Sequence, residues 1–282
     1  MILKAIRNWR EQRAIERHAI PDALWQLTLL RYPFLAQRSA EDLAELRRLC
    51  SLFLAGKEFH GVAGFEVSDE IAVAVAAQAC LPVLRLGLGW YDGFVGIVMH
   101  AGEVVAQRRY EDEDGIVHEY DEELAGEAME GGPLMLAWQA IAVSDDPAEF
   151  GADAVYNVVI HEFAHKLDML NGEADGVPPF SRVLHPGVDA EQWAETFLSE
   201  YDTFAEACDA LPDHIWDDPD RLPPRLQVID PYGCEAPSEF FAVASEAFFV
   251  EPVGLRRQWP TLYDALAQFY RQNPAGNAAS DT

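Results

Sequence analysis

Apolar positions in the first third of the chain recur with the period of a helix. Residues 22–54 are predicted to be helical, because Asp22 is a capping residue and an apolar stripe follows Ser39 at spacings of three and four residues. The stripe consists of Leu43, Leu46, Leu49 and Cys50. Before it, basic residues alternate with apolar ones along residues 1–20, which predicts a basic amphipathic helix. We expect that helix to pack on the acidic body of the protein rather than on a membrane.

An apolar stretch from Ile71 to Trp90 is long enough to be mistaken for a membrane span. It contains Pro82 and Arg85, and a charged side chain in the middle of a bilayer is costly. We therefore predict a core helix that ends at Pro82 and an apolar strand after it. No transmembrane segment is assigned.

Short apolar runs with strand character occupy the middle of the chain. Val95–His100 and Val104–Arg109 are joined around Ala101-Gly102, and Leu134–Trp138 follows a Gly-Gly-Pro turn. The acidic run at 111–115 lacks the Gly and closing Glu of a calcium loop, so it is interpreted as a solvated turn.

The second half of the chain is predicted to be mainly helical. A strongly apolar helix covers residues 149–170, opened by Asp145-Asp146-Pro147 and stopped by Asn171-Gly172. Later helices are expected near 188–211, 237–250 and 260–272, with an irregular Pro- and Asp-rich segment at 212–236.

These elements predict one compact α+β domain, with helices around a small mixed sheet and a helical portion at the N-terminus. The expected division is an N-terminal helical portion at 1–60 packed on the body, a catalytic domain at 61–272 and a flexible tail at 273–282.

Composition narrows the class of partners. Half of the residues are apolar, so a large core can form, while 20 Lys and Arg face 48 Asp and Glu for a net charge of −28. A chain this acidic repels phosphate backbones, which argues against direct nucleic-acid binding.

The four cysteines contain no C-x-x-C pair and do not form a disulfide framework. Together with the absence of a secretory h-region, this predicts a protein of the reducing cytoplasm.

The chemistry centres on the H-E-x-x-H run that begins at His161. His161 and His165 lie one helical turn apart, offset by only about 40° around the axis, so both imidazoles can reach one zinc ion. Glu162 is placed beside the open coordination position, where a general base can take a proton from the activated water. Polar side chains on so apolar a helix need partners, which favours a zinc site over two surface histidines.

The third ligand of a catalytic zinc must come from elsewhere in the chain. The Gly and His that follow the motif in metzincins are absent, and so is the upstream Cys segment of a peptide deformylase. These absences favour a carboxylate on a second helix. Glu239 and Glu246 lie seven residues apart, hence on nearly the same face of an apolar helix. Spacing alone does not choose between them; one is expected to bind the metal and the other to pair with a basic residue.

Three separated runs resemble the Mlc titration factor A family of zinc peptidases, in the right order. They are LPVLRLGLGWYDGF, HEFAHKLDMLNG and PSEFFAVASEAFF, and the similarity runs from about residue 20 to 275. The resemblance implies a zincin-like domain with one zinc ion per chain, held by His161, His165 and Glu239. It also implies that Tyr232, seven residues before the Glu ligand, donates its hydroxyl to the oxyanion; a packed Tyr in a Pro-rich loop is the alternative.

Two departures from related peptidases bear on the site. Thermolysin-like enzymes carry an Asp four residues past the third ligand, where this chain has Val243. Asp168, one turn past His165, is therefore a candidate to orient a ligand imidazole, and an ordinary surface Asp is the alternative. Leu134–Trp138 resembles the edge strand that pairs with substrate, and a buried interior strand is the alternative.

The resemblance implies hydrolysis of peptide bonds, with aminopeptidase activity on short peptides and Glu162 as the base. It also implies a second function, an anti-repressor that binds a glucose-responsive transcriptional regulator. A purely structural zinc is disfavoured because no Cys or His near the helix would close the fourth position. A binding protein has no need of Glu162, so its presence favours catalysis.

Overall fold

The computed structural model describes residues 2–102, 104–111, 117–143, 156–212, 215 and 221–276. The helices there are α1 (Ile2–Arg17), α2 (Asp22–Arg31), α3 (Pro33–Ala36), α4 (Ala40–Gly56), α5 (Asp69–Cys80), α6 (Trp138–Val143), α7 (Val158–Asp168), α8 (Ala190–Asp209), α9 (Pro237–Val250), α10 (Pro252–Gln258) and α11 (Pro260–Tyr270). The strands are β1 (Glu58–Gly61), β2 (Gly96–His100), β3 (Val104–Glu111), β4 (Val117–Leu124), β5 (Gly126–Ala128) and β6 (Leu134–Ala137).

The N-terminal region is helical as predicted, and residues 22–54 are divided among three helices. Pro33 cannot donate a backbone hydrogen bond, and it begins α3 directly after α2. Ser39 then caps α4, since its hydroxyl accepts a hydrogen bond from the N–H of Asp42 at 3.1 Å. The apolar stripe of α4 is buried, which places this helix against the rest of the core.

The predicted core helix is α5, whose side chains are nearly all buried. The apolar strand expected after Pro82 was a wrong prediction. Residues 81–86 form hydrogen-bonded turns, with the N–H of Gly87 donating to the carbonyl of Val83, and a 3₁₀ helix follows at Leu88–Tyr91. A short apolar run is equally suited to a buried turn and to a buried strand, so its pattern does not distinguish them.

The main sheet has the strand order β1-β2-β6-β5. β1, β2 and β6 run parallel, and β5 pairs antiparallel with β6 along the outer edge. The predicted strand at Leu134–Trp138 exists as β6 but lies inside the sheet, so the comparison with a substrate-pairing edge strand was wrong. The edge beside α7 is the three-residue β5. β2 and β3, predicted as neighbouring runs, do not pair with each other; β3 and β4 form a separate antiparallel hairpin.

Helix α7 begins at Val158, later than the predicted start at 149. The predicted opening at Asp145-Asp146-Pro147, the acidic turn at 112–115 and the tail from 277 onward lie outside the described residues. α8, α9 and α11 agree with the predicted helices, while α10 was not predicted.

One hydrophobic core joins the helices to the sheet. It includes Trp25 of α2, Phe163 of α7, Phe241 of α9 and Phe269 of α11. The predicted α+β class is therefore confirmed. In the part of the chain that the structure describes, no helix is both long enough and apolar enough to cross a membrane.

The structure contains one disulfide, which the spacing of the cysteines did not predict. Cys208 at the end of α8 and Cys234 before α9 form a disulfide, while Cys50 and Cys80 are free and buried. The two bonded residues are 26 positions apart, and only the packing of α8 against the segment before α9 brings them together. Local cysteine spacing carries no signal of such a pair.

Candidate metal centre

The helix that carries the H-E-x-x-H run is fixed at its first residue. Asn157 caps α7 with its side-chain oxygen, which accepts from the N–H of Ile160 at 2.9 Å. The amide nitrogen of the same side chain donates to Gln78 of α5 at 2.6 Å. The backbone N–H of Asn157 donates to the carboxylate of Glu246 on α9. One capping residue thus ties three buried helices together at the start of the motif.

The second helix of the site is α9, which Pro237 begins. Glu239 lies in its first turn, and Glu246 lies two turns later on the same side. The side chain of Glu246 is 1% exposed, whereas that of Glu239 is 20% exposed. The two carboxylates that the sequence left undistinguished therefore occupy different environments.

The two helices bring three donor atoms to one point. Oε2 of Glu239 lies 3.1 Å from Nε2 of His161 and 3.2 Å from Nε2 of His165. The two nitrogens are themselves 3.2 Å apart. Among the residues the structure describes, this is the group of His, Cys, Asp and Glu side chains whose spacing suits a metal ion.

The spacing and chemistry of these three atoms fit a bound cation. Ligand atoms of a tetrahedral zinc lie about 2.0–2.1 Å from the ion and hence about 3.3 Å from one another, close to the distances here. His161 donates its Nδ1–H to Oε1 of Glu246 at 2.8 Å, so in the neutral, metal-binding form of the ring the lone pair is on Nε2. Electron-rich atoms of His161, His165 and Glu239 then face each other, and a metal ion between them would balance their charge.

Glu246 orients a histidine of the cluster. Its two oxygens accept from Nδ1 of His161 and from the N–H of Asn157, which fixes both the ring and the helix start. Burial lowers the pKa of His161, but the hydrogen bonds with Glu239 and Glu246 outweigh it and raise that pKa well above the ordinary value. Burial acts to raise the pKa of Glu239, yet the two imidazoles hold it well below its usual range.

Glu162 and Tyr232 line a cavity that His161 also lines and that has a volume of about 240 Å³. Glu162 is 5% exposed, and burial raises the pKa of its carboxyl. Its Oε2 is buried and has no hydrogen-bond partner in the described part of the chain. The ring of Tyr232 lies 6.1 Å from that of His161 and is 43% exposed. His161, Glu162 and Tyr232 thus line one cavity, while His165 and Glu239 join His161 in the donor cluster.

The predicted orienting role of Asp168 does not agree with the structure. Its Oδ2 accepts from the N–H of Gly176 at 2.8 Å, while its Oδ1 and Nδ1 of His165 both have no hydrogen-bond partner among the described residues. Gly176 has a φ of +80°, and a Cβ there would lie 2.4 Å from the carbonyl oxygen of Pro237. Asp168 therefore holds a loop between the end of α7 and the start of α9, and Glu246 is the carboxylate that orients a ring.

The buried carboxyl of Asp168 predicts a pH-dependent stability. Burial raises its pKa to about 6, although the N–H of Gly176 acts to lower it. The folded state then binds more protons than the unfolded state between about pH 4 and 6, so stability from the protonated carboxyl is lost as pH rises through that window. The side chain of the Asp168→Asn variant is neutral at every pH. We therefore expect its free energy of unfolding, relative to that of wild type, to increase by about 2–3 kcal/mol as the pH rises from about 4 to 7.5.

Urea unfolding of both metal-free proteins with a chelator present measures this difference. Asp264→Asn, an exposed change on α11, is the control and should track wild type at every pH. A difference in free energy of unfolding between Asp168→Asn and wild type that does not change with pH would contradict a raised pKa for the Asp168 carboxyl.

Sequence reasoning missed several residues that build the site. Asn157 precedes an apolar run, which is an N-cap signal, but the continuous apolar pattern upstream hid it. Gln78 is a polar residue in an apolar helix, and nothing in the local sequence indicates that it contacts Asn157. The contact of Gly126 with Glu162 depends on the pairing of β5, for which the sequence carries no local signal.

The α+β fold and the His-His-Glu cluster together are typical of the zincin-like class of metallopeptidases. The sequence model of the glucose-regulated metallo-peptidase M90 family matches residues 6–271, and the chain belongs to this family. Proteins called Mlc titration factor A from Salmonella gallinarum, Salmonella choleraesuis and Salmonella arizonae are each 33% identical to it over 268 residues. The match covers 95% of this chain and 91%, 91% and 96% of those relatives. The resemblance predicted from the three sequence runs is confirmed.

Proposed function

We propose that this protein is a zinc-dependent peptidase in which His161, His165 and Glu239 hold the metal. The observation that carries the proposal is the convergence of their three donor atoms, each within 3.2 Å of the other two, at His161, which lines one cavity together with Glu162. A structural metal site has no need of an adjacent buried carboxylate with an unpartnered oxygen, and a hydrolytic site does.

When bound, zinc supplies Lewis acidity, which polarises the substrate carbonyl and makes a water molecule easier to deprotonate. Glu162 takes the proton of the attacking water with its carboxylate and passes it to the leaving amine. Tyr232 donates its hydroxyl to the developing oxyanion. Glu246 keeps the ring of His161 in one orientation throughout, because the ring donates Nδ1–H to it.

We further infer that the substrates are short peptides with a free amine. A cavity of about 240 Å³ suits one or two residues rather than a long chain. Three carboxylates line it, and two of them have assigned roles as base and as partner of His161. The third is Asp230, whose Oδ1 accepts from the N–H of Tyr232 at 2.8 Å. Its negative charge is placed to bind the ammonium group of a substrate.

Asp230→Asn tests this assignment, since the amide oxygen can still accept from Tyr232 while the charge is removed. We expect kcat/KM for a free-amine chromogenic peptide to fall about ten- to a hundredfold, mainly through KM, because a charge-assisted hydrogen bond contributes about 1.5–3 kcal/mol. The wild type should cut the free-amine peptide and leave its N-acetylated form intact.

The control is again Asp264→Asn, outside the cavity, which should match wild type. If wild type cuts both peptides equally, the aminopeptidase assignment is wrong; if Asp230→Asn keeps the wild-type KM, the role of Asp230 is wrong. If wild type loaded with zinc cuts neither peptide, the proposed activity itself fails.

A second candidate function is binding of a transcriptional regulator. The relatives' name describes factors that titrate Mlc, and this chain covers more than nine-tenths of their length. On this proposal, a related regulator is the partner and peptidase activity is secondary. Glu162→Gln separates the two functions, because a binding surface does not depend on that carboxylate. Retained capture of a purified regulator by the variant, with no cleavage by wild type, would favour the second function.

A further inference from the structure

The edge strand of the sheet meets the side chain of Glu162 at a residue without a side chain. Gly126 is the first residue of β5, and it lines the cavity together with Glu162. A Cβ built on Gly126 would lie 2.6 Å from Cγ and from Oε1 of Glu162, and 2.8 Å from Cδ. Carbon atoms in contact are normally about 3.5–4.0 Å apart, so Glu162 fills the space that any other residue's side chain would need.

The strand is held where it is and has little freedom to move away. β5 pairs with β6 from Gly126 to Ala128, and the N–H of Ala137 donates to the carbonyl of Ala125 at 2.8 Å. Lys166 of α7 also holds this strand in place through hydrogen bonds. Its buried ammonium donates to the carbonyls of Met129 and Gly132, the two sides of the turn that joins β5 to β6.

Lys166 directly follows the second histidine of the motif, so the same helix turn that places His165 also holds the hairpin. The pairing of β5 with β6 and the hydrogen bonds of Lys166 to the turn between them therefore fix the distance between the backbone of α7 and that of β5. Since the backbone of Glu162 is part of α7, the torsions of its side chain are the remaining freedom with which an overlap can be relieved.

We propose that Gly126 is a positioning residue for the Glu162 carboxylate. Its missing side chain provides the space in which the carboxylate lies beside the two histidines, and a methyl group there would turn the carboxylate away. The consequence for catalysis rests on the proposed peptidase function, while the steric coupling between the two residues does not.

Gly126→Ala is expected to lower kcat about ten- to a hundredfold with little change in KM, because the base is misplaced while substrate binding surfaces remain. Bound zinc should stay at the wild-type level, since none of the three donor residues is touched. Gly96→Ala is the matched control in strand β2, where a Cβ would meet Pro133 at an ordinary 3.5 Å. That control should keep the wild-type rate.

A cycle of thermal unfolding midpoints tests the coupling without any activity. Glu162→Ala removes the three atoms that a Cβ at position 126 would meet. Gly126→Ala should lower the midpoint by several degrees in the wild-type background and leave it nearly unchanged in the Glu162→Ala background. If the single variant does not fold, the double variant is expected to fold.

Two results would overturn the proposal. One is an equal fall of the thermal unfolding midpoint in both backgrounds, which would show that the added methyl group overlaps with the strand rather than with Glu162. The other is an unchanged kcat for Gly126→Ala in a preparation whose wild type cleaves peptide. If wild type shows no cleavage, the peptidase proposal fails, and the unfolding cycle alone decides the positioning role.

Discussion

Glu162→Gln is expected to lower kcat for peptide cleavage about 10²- to 10⁴-fold while the protein keeps its metal. The amide has nearly the shape of the carboxylate but cannot take a proton from water at neutral pH. Glu162 lies outside the cluster of three converging donor atoms, so its replacement leaves those atoms in place. The measurement is steady-state cleavage of a free-amine chromogenic peptide, with zinc quantified in the same sample.

Glu195→Gln is the matched control, because it makes the same chemical change at an exposed site of α8. It should leave both the rate and the metal content unchanged. A Glu162→Gln variant that cleaves at more than about a tenth of the wild-type rate would show that another group is the base.

Glu239→Gln is expected to reduce metal affinity by at least about a hundredfold and to abolish cleavage at limiting zinc. The carboxylate supplies the negative charge of the cluster, and Oε2 is the atom that lies within 3.2 Å of both imidazole nitrogens. An amide oxygen is a weaker, uncharged ligand, so the variant should lose zinc to a competing chelator that wild type withstands. Competition titration with a chromogenic chelator measures the change.

The same titration also tests which of the two carboxylates on α9 is the third metal donor. Oε2 of Glu239 contacts Nε2 of both histidines, while the buried Glu246 on the same helix pairs with Nδ1 of His161. If Glu239→Gln retains zinc with wild-type affinity, the third donor is wrongly assigned. Restored cleavage at excess zinc would instead agree with weakened binding.

The part of the site that was predictable from sequence rests on local periodicity. His161, Glu162 and His165 lie on one helix, so their spacing alone fixed their relative positions. Glu239 and Glu246 were placed on one face of a second helix by the same reasoning. Which of the two meets the histidines depends on how α7 and α9 pack, and only the family resemblance indicated Glu239.

The features that sequence did not reveal are those set by packing between distant segments. The edge position of β5 depends on a strand order that no local pattern encodes, and the interior location of β6 follows from it. Asp168 has the right helical offset to reach His165, but the N–H of Gly176 is its observed partner. The Cys208–Cys234 bond likewise joins residues from separate elements.

The most direct test of the central claim measures bound zinc per chain and peptide cleavage together in wild type, Glu162→Gln and Glu239→Gln. We predict one zinc and cleavage in wild type, one zinc without cleavage in Glu162→Gln, and neither zinc nor cleavage in Glu239→Gln at limiting metal. Wild type that holds zinc and cleaves no peptide, or cleavage that survives in either variant at wild-type rate, would contradict the account.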